Sequence, residues 1–284
     1  MEIQSTDILE RINTSYYQLT ASERKVADYV MAQPSQVQFM SITQLADECG
    51  TAEATISRFC RNLKLKGFNA FKIELARRGA PAPALNEESE ADMDTATGRT
   101  QEVGRLAREA VNQTIELADH KEILRAVKLF EKARQVLCFG SGGSMVMAQD
   151  CAHLFSTVTG KFIAIADSHM QMSSVATMKP GDVVVLFSYS GATTSGVQVL
   201  ELAKSRGVNS VLITRFGKSP AANLADVVLR CGSNEGPFQF GSVPAKIAQL
   251  VVMDLMFQEY CYRNPESSQT NIQNIAAALS DMHL

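Results

Sequence analysis

The stretch VVVLFSYSGATTS, residues 183–195, places five apolar residues directly before a loop of serine, threonine and glycine. Short β-branched apolar runs are typical of strands that are buried in a sheet. Glycine and hydroxyl side chains bring flexible backbone and neutral hydrogen-bonding groups to the loop. The stretch therefore predicts a buried strand that ends in a polar loop, with a helix beginning after the loop.

Further apolar runs of this kind alternate with segments of helical periodicity. The predicted strands are 135–140, 162–166, 182–187, 208–214 and 226–230. The predicted helices are 103–130, 144–158, 169–178, 193–206, 219–224 and 244–263. Alternating strands and helices favour parallel pairing with right-handed crossovers. We expect an α/β three-layer sandwich whose five-stranded parallel sheet has the flavodoxin-like order 2-1-3-4-5.

The first predicted strand also ends in a loop of small residues. Residues 140–144 (GSGGS, the first loop) and 188–194 (SYSGATT, the second loop) contain no Lys or Arg. In the expected order, strands one and three are neighbours at the switch point, where ligands bind. Helix N-termini attract anions, so the two loops predict one phosphate site that uses dipoles and hydroxyls without a counter-charge. The predicted ligand-binding residues in the loops are Ser141, Gly142, Ser144, Ser188, Ser190, Gly191 and Thr193.

Three other interpretations of these loops can be compared with a phosphate site. One is that Ser and Thr only cap two helices. A dinucleotide fingerprint that starts at Gly140 needs glycine at position 145, where Met145 stands. A Walker loop needs the triplet GK[ST], which is absent from the sequence.

The second loop resembles the S-x-S-G-x-T signature of the sugar isomerase (SIS) domain, and the first loop resembles its G-x-G-x-S. The segment DSHMQ, residues 167–171, is similar to the D-x-H-x-Q of SIS-bearing regulators. The resemblance implies a phosphorylated sugar as ligand. It adds two candidate contacts to the sugar, His169 and Glu235. An acid often found two residues after the last threonine is replaced here by Ser195.

Bulk composition is that of an ordinary globular protein. The chain has 284 residues, a net charge of −3 and 45% hydrophobic residues. The six cysteines form no CxxC pair, so a zinc site is not indicated. We expect no metal and no cofactor. Cysteine usage, and a start without the features of a signal peptide, favour a cytoplasmic protein with no membrane span. We expect three parts, namely a helical block at 1–79, an acidic linker at 80–102 and the SIS domain at 103–284.

The helical block divides its charge unevenly. Residues 1–53 carry three bases and eight acids, whereas residues 54–79 carry seven bases and one acid. The segment 41–63 predicts a helix, a glycine turn at Gly50 and a second helix, with Ser41 and Thr51 as candidate caps. This is the layout of a helix-turn-helix, whose second helix enters the major groove. The alternative is a solvated basic helix in a plain bundle. The predicted DNA-binding residues are Ser41, Thr43, Thr55, Ser57, Arg58, Arg61, Lys64 and Lys66.

The helical block resembles the N-terminal domain of RpiR-type bacterial regulators. Four motifs carry this resemblance: LTxxERxVADYV at 19–30, SIxxLA at 41–46, ATISRF at 54–59 and KGFxxFK at 66–72. Such proteins join this domain to a SIS domain. The chain departs from the family pattern at Ala52, where serine is usual, and at Lys64, where glycine is usual.

The resemblance implies a DNA-binding transcriptional regulator of sugar metabolism, whose partners are operator DNA and a phosphorylated sugar. It also implies a homodimer or homotetramer that forms through the SIS domain. The alternative is an isomerase, which needs a general base. Glu235 and His169 are the candidates for that base, and each could equally bind sugar hydroxyls. We expect a regulator and no enzymatic activity, because a DNA-binding block precedes the SIS domain.

Overall fold

The computed structural model describes residues 7–78, 94–233 and 242–280. Contacts divide the chain into two compact units, with the boundary between Gly104 and Arg105. Every helix in the described ranges is too short or too polar to span a bilayer.

The first unit is all-helical, as predicted. Its helices are α1 Ile8–Ser15, α2 Ala21–Ala32, α3 Pro34–Val37, α4 Ile42–Glu48, α5 Glu53–Asn62 and α6 Phe68–Arg78, with a 3-10 turn at Tyr16–Gln18. Their apolar faces meet in one core, in which Val26, Leu45, Phe59 and Phe71 are fully buried. The rings of Phe59 and Phe71 pack edge to face, which joins α5 to α6.

A buried glutamate explains part of the LTxxER motif. Thr20 and Glu23 form a reciprocal capping box at the start of α2. Glu23 is 2% exposed, and its other carboxylate oxygen accepts a hydrogen bond from Asn62 Nδ2 at 2.8 Å. The motif therefore both begins α2 and fixes the end of α5 against it.

The second unit contains a sheet of five strands that all pair in parallel. The strands are β1 Val136–Phe139, β2 Phe162–Ala164, β3 Val183–Phe187, β4 Asn209–Thr214 and β5 Val227–Arg230. Their order is β2-β1-β3-β4-β5, which confirms the predicted topology. Val136 of β1 lies opposite Val183 of β3, so the carboxyl ends of these two strands are adjacent.

Helices cover both faces of this sheet. The helices from position 96 onward are α7 Ala96–Leu117, α8 His120–Lys132, α9 Gly143–Ser156, α10 Ser168–Thr177, α11 Thr194–Ser205, α12 Val243–Arg263 and α13 Pro265–Leu279. The unit boundary at Gly104 falls within α7. Val183 and Val185 of β3 pack with α8, α9 and α12, whereas Val184 and Leu186 pack with α10 and α11. Alternate residues of the strand thus pack into two hydrophobic cores, one on each face of the sheet. This explains the continuous apolar run and confirms the three-layer sandwich.

Two helix predictions were wrong in detail, and one helix was not predicted. The stretch 103–130 is two helices, because the Asp119 side chain accepts hydrogen bonds from two backbone N–H groups and starts α8 as its N-cap. Residues 219–224 form a turn, since so short a segment seldom propagates as a helix. The helix α13, with Pro265 in its first turn, was not predicted.

The predicted linker also differs at its end. Helix α7 begins at Ala96, inside the segment 80–102, and Glu102 is only 2% exposed. The two prolines and six acids of this segment predict that it cannot bury enough apolar surface to order itself fully. Residues 79–93 lie outside the described ranges.

Candidate functional site

The two polar loops lie side by side at the carboxyl edge of the sheet. The first loop follows β1 and opens α9, and the second loop follows β3 and opens α11. The hydroxyl oxygens of Ser141 and Ser195 are 3.3 Å apart and hydrogen-bonded. Ser195, which stands where the family often has an acid, lies in the first turn of α11, directly after the second loop, and joins the start of that helix to the first loop.

The loop hydroxyls do not cap the helices that follow. Gly142 is the N-cap of α9 and has no side chain to offer. Thr193 is the N-cap of α11, but its exposed side chain makes no capping hydrogen bond. Side chains thus leave the starts of both helices uncapped, which suits an anion-binding helix N-terminus. In α9, Ser144 N and Met145 N already donate to the loop carbonyls of Ser141 and Gly142.

Ser188 and Ser190 differ in their surroundings. Ser188 is 4% exposed, and its hydroxyl has no hydrogen-bond partner within the described residues. The Ser190 hydroxyl is half-buried and accepts a hydrogen bond from Ala192 N at 3.3 Å. A buried hydroxyl without a partner is unfavourable, and a bound ligand is one way to satisfy it.

The second loop is hydrogen-bonded to the end of β4 and to the segments after β4 and β5. Thr214 Oγ1 donates to Tyr189 O at 3.1 Å, and Ala221 N donates to Gly191 O at 2.9 Å. The Tyr189 hydroxyl donates to Ser233 O, just past β5. Sequence reasoning missed these supports, because contacts between residues far apart in the chain leave no local pattern.

The first loop is held from α10. Gln171 is 3% exposed, and its amide donates to Gly140 O at 3.2 Å and to Ile165 O at 2.8 Å. A Cβ on Gly140 would lie 2.5 Å from Ser144 O, so only glycine fits where the strand meets α9. The glutamine of the DSHMQ segment is therefore a support for the loop.

The two candidate sugar contacts have different outcomes. His169 lies in the first turn of α10, with an exposed side chain. Asp167 caps that helix by accepting from Met170 N at 2.8 Å. Glu235 lies outside the described residues.

A cavity of about 170 Å³ lies apart from both loops. Apolar side chains of α8, β5 and α12 form most of its wall, together with Asp119, Glu122 and Arg230. None of the predicted ligand-binding residues lines it, so it does not bear on the loop site.

The predicted helix-turn-helix is present as α4, a turn and α5. Ser41 forms a capping box with Gln44 at the start of α4. Gly50 ends α4 with a φ of +58°, and Thr51 N donates to Ala46 O at 2.9 Å. This is a Schellman ending, which suits glycine. The four residues that we expected to face the core from the second helix are all buried: Ile56, Phe59, Cys60 and Leu63.

The polar and basic side chains predicted to form the DNA-binding surface differ in exposure. Arg58, Arg61, Lys64 and Lys66 are exposed on α5 and on the turn after it. Ser57 and Thr43 are half-buried, and the Thr43 hydroxyl donates to the Glu53 carboxylate. Lys72 points inward, where Nζ donates to Met40 O at 3.3 Å and burial lowers its pKa. Lys72 is therefore a structural lysine, although it is one of the seven bases counted in residues 54–79.

Three predictions for this motif need correction. Ser41 and Thr55 are 4% and 5% exposed, so neither side chain is free to reach DNA. Ser41 is used as a cap, and Thr55 turns toward the core with Ile56. Thr51 does not cap α5, because Ala52 is the N-cap and makes no side-chain hydrogen bond.

Lys64 occupies a backbone conformation that favours glycine. Its φ is +58°, equal to that of Gly50, and Leu65 N donates to Cys60 O at 3.0 Å in a second Schellman ending. A left-handed conformation costs a non-glycine residue about 1–2 kcal/mol. Lys64 thus carries backbone strain together with an exposed charge.

We expect Lys64→Gly to raise the free energy of unfolding by about 1 kcal/mol, since it removes this strain at the expense of some unfolded-state entropy. Thermal or urea unfolding would measure the change. The matched control is Lys64→Asn, which also removes the charge but tolerates the left-handed region better than lysine. A Lys64→Gly variant less stable than the parent would contradict the strain argument.

The comparisons with known proteins cover both units. Residues 6–82 match the family model "helix-turn-helix domain, rpiR family", and residues 129–258 match the SIS domain model. An HTH-type transcriptional regulator of Caldanaerobacter subterraneus subsp. tengcongensis is 32% identical over 97% of this chain and 98% of its own length. HexR, an HTH-type transcriptional regulator of Pseudomonas aeruginosa, is 30% identical over 96% of this chain and 95% of its own. The solved structure of NanR from Vibrio vulnificus, in complex with ManNAc-6P, has a TM-score of 0.87 at 26% identity, covering 98% of this chain and 100% of NanR.

Proposed function

Because the chain belongs to the rpiR family of helix-turn-helix transcriptional regulators, we propose that it regulates genes of sugar metabolism in response to a phosphorylated sugar. The proposal has α5 bind operator DNA and the two polar loops bind the phosphate group. The observation that carries it is the hydrogen bond between Ser141 and Ser195, which brings both loops to one place.

The phosphate would be bound by neutral groups. The backbone N–H groups at the starts of α9 and α11 lack side-chain caps, and each helix dipole favours an anion there. The remaining contacts are the hydroxyls of Ser141, Ser144, Ser188, Ser190 and Thr193. Gly142 and Gly191, at φ of +56° and +61°, let the backbone approach the phosphate closely.

The sugar ring would lie beyond the phosphate, next to His169. We propose that His169, which follows β2, and Glu235, which follows β5 in the sequence, bind its hydroxyl groups. NanR binds a phosphorylated amino sugar, which makes that class the first to try. Hexose and pentose phosphates are the other candidates.

Regulation would depend on assembly of the SIS domain into a homodimer or homotetramer. Exposed apolar side chains on α7 and α12, such as Ile115 and Leu250, offer surface for this assembly. Helix-turn-helix dimers bind half-sites about 34 Å apart, so a sugar that favours one assembly alters the affinity for the operator. We place the protein in the cytoplasm, where operator DNA and phosphorylated sugars are both present.

Isomerase chemistry is the second candidate function. It would use His169 or Glu235 as the general base. The relatives that span nearly the whole chain are transcriptional regulators, which favours sensing. Aldose–ketose turnover of the bound sugar phosphate would reverse this preference.

Ser188→Ala tests the ligand site. Without sugar, we expect this variant to be at least as stable as the parent, because a buried hydroxyl without a partner costs about 1–3 kcal/mol. With a sugar phosphate at about 100 times its Kd, the parent should melt about 5–10 °C higher. The variant should bind about ten-fold more weakly, since it lacks one charge-assisted hydrogen bond. Differential scanning fluorimetry with ManNAc-6P and the other sugar phosphates measures both effects.

The matched control is Ser205→Ala, at the far end of α11, where the hydroxyl donates only to Leu202 O. It should respond to the sugar as the parent does. Ser190→Ala is a second variant in the site and should also weaken the response. If both loop variants respond as the parent does, the ligand site is misplaced.

A further inference from the structure

The first turn of α5 has one side chain that can form a hydrogen bond with a base edge. Ala52 and Ala54 are exposed but have only methyl groups, and Thr55 is buried. Glu53, between the two alanines, is half-buried at the first helical position. In a helix-turn-helix, the N-terminal residues of the second helix contact base edges. Any hydrogen-bonded base contact by this turn therefore falls to Glu53.

The carboxylate of Glu53 is positioned from α4. Its Oε1 accepts the hydrogen bond from Thr43 Oγ1, which links the two helices of the motif. No hydrogen bond reaches Oε2 from the described residues, so this oxygen can accept one from DNA. An ionised carboxylate has only acceptor sites, which restricts its partners to donors.

Charge determines which part of DNA such a group can approach. A carboxylate is repelled by phosphates, and the phosphate contacts fall to the exposed cations Arg58, Arg61, Lys64 and Lys66. The major groove offers two amino donors, cytosine N4 and adenine N6, whereas guanine presents only acceptors there. Adenine N6 lies beside the N7 acceptor, which repels a carboxylate and suits a side-chain amide instead, so cytosine N4 is the donor that matches Glu. The geometry that suits Glu53 is thus the base edge of a C·G pair, with the carboxylate facing the cytosine.

We propose that Glu53 reads a cytosine in each operator half-site by accepting a hydrogen bond from N4, and that Thr43 is the residue that positions its carboxylate. This inference rests on the proposed function, because it requires α5 in the major groove. It adds to that function that α5 recognises one base pair, in addition to binding the phosphate backbone.

In vitro selection from a random DNA library, with the full chain, tests the proposal. The parent should select a half-site with one position fixed as C, at a preference of about ten-fold or more. Glu53→Gln should change the preference at that position alone toward A, because a side-chain amide pairs with adenine N6 and N7. Glu53→Ala should lose the preference at that position and bind the degenerate site no more weakly. Thr43→Val should reduce the preference for C without replacing it by another base.

The outcomes separate two kinds of failure. If the parent selects no sequence, the proposed function itself is contradicted. If the parent selects a sequence and Glu53→Ala selects the same one at every position, Glu53 reads no base and only this inference is lost. Melting temperatures of all variants report folding, and Glu53→Gln, which preserves the shape of the side chain, keeps the test valid should Glu53→Ala unfold.

Discussion

Gly191→Ala should abolish the response to sugar phosphates and destabilise the chain by about 2–4 kcal/mol. Gly191 has a φ of +61°, and an added Cβ would lie 2.1 Å from Ser219 Oγ and 2.7 Å from Ser219 Cβ. Ser219 cannot easily move, because it is fully buried and its hydroxyl accepts a hydrogen bond from Ala222 N at 3.2 Å. The second loop would therefore shift away from β4, and Ser188, Ser190 and Thr193 would move with it.

Two matched variants separate strain from collision. Gly142→Ala places a Cβ at a similar φ of +56° but with no atom within 4 Å, so it should cost only about 1–2 kcal/mol of backbone strain. The double variant Gly191→Ala with Ser219→Gly removes the colliding atoms and should recover part of the lost stability. Urea unfolding measures all three, and fluorimetry with ManNAc-6P measures the response. If the Gly191→Ala variant is as stable as the parent and responds equally to ManNAc-6P, the geometry described for the second loop is wrong.

The fold was largely predictable because its signals are local. The run 183–187 is apolar at every position, which indicates a strand covered on both faces, and β3 is central in the sheet. Glycine and hydroxyls after two such strands predicted two loops that meet, and the contact between Ser141 and Ser195 is the structural counterpart. These inferences needed only periodicity and the carboxyl-edge rule.

What sequence reasoning missed depends on burial and on distant partners. Thr55 looked like a polar residue on an exposed face, but it is buried in the packed helical unit. Lys72 looked like surface charge, yet Met40 O, 32 residues away, accepts its hydrogen bond. Gln171 was considered only as part of the DSHMQ motif, although its amide holds the first loop by donating to Gly140 O. A single sequence gives the type of each residue but not the neighbours that decide its role.

Arg58→Ala should weaken operator binding about 10- to 100-fold and leave sugar binding unchanged. The Arg58 side chain is exposed on α5, and its one described hydrogen bond is a long one to Thr55 Oγ1 at 3.4 Å. The guanidinium is therefore available to DNA, and its loss should change folding stability by less than about 0.5 kcal/mol. Adding Arg61→Ala, one turn further along the same helix, should remove a second contact and reduce affinity further.

Salt dependence distinguishes contacts to phosphate from those to bases. Each lost phosphate contact should lower the slope of log K against log salt by about 1, whereas a lost base contact leaves the slope unchanged and relaxes sequence preference. Arg77→Ala is the matched control, because Arg77 is exposed on α6 and already paired with Glu74 at 2.6 Å. Fluorescence anisotropy with a labelled operator at several salt concentrations measures these effects. If Arg58→Ala and Arg77→Ala bind the operator equally well, α5 is not the helix that enters the groove, and the reading of a base by Glu53 fails with it.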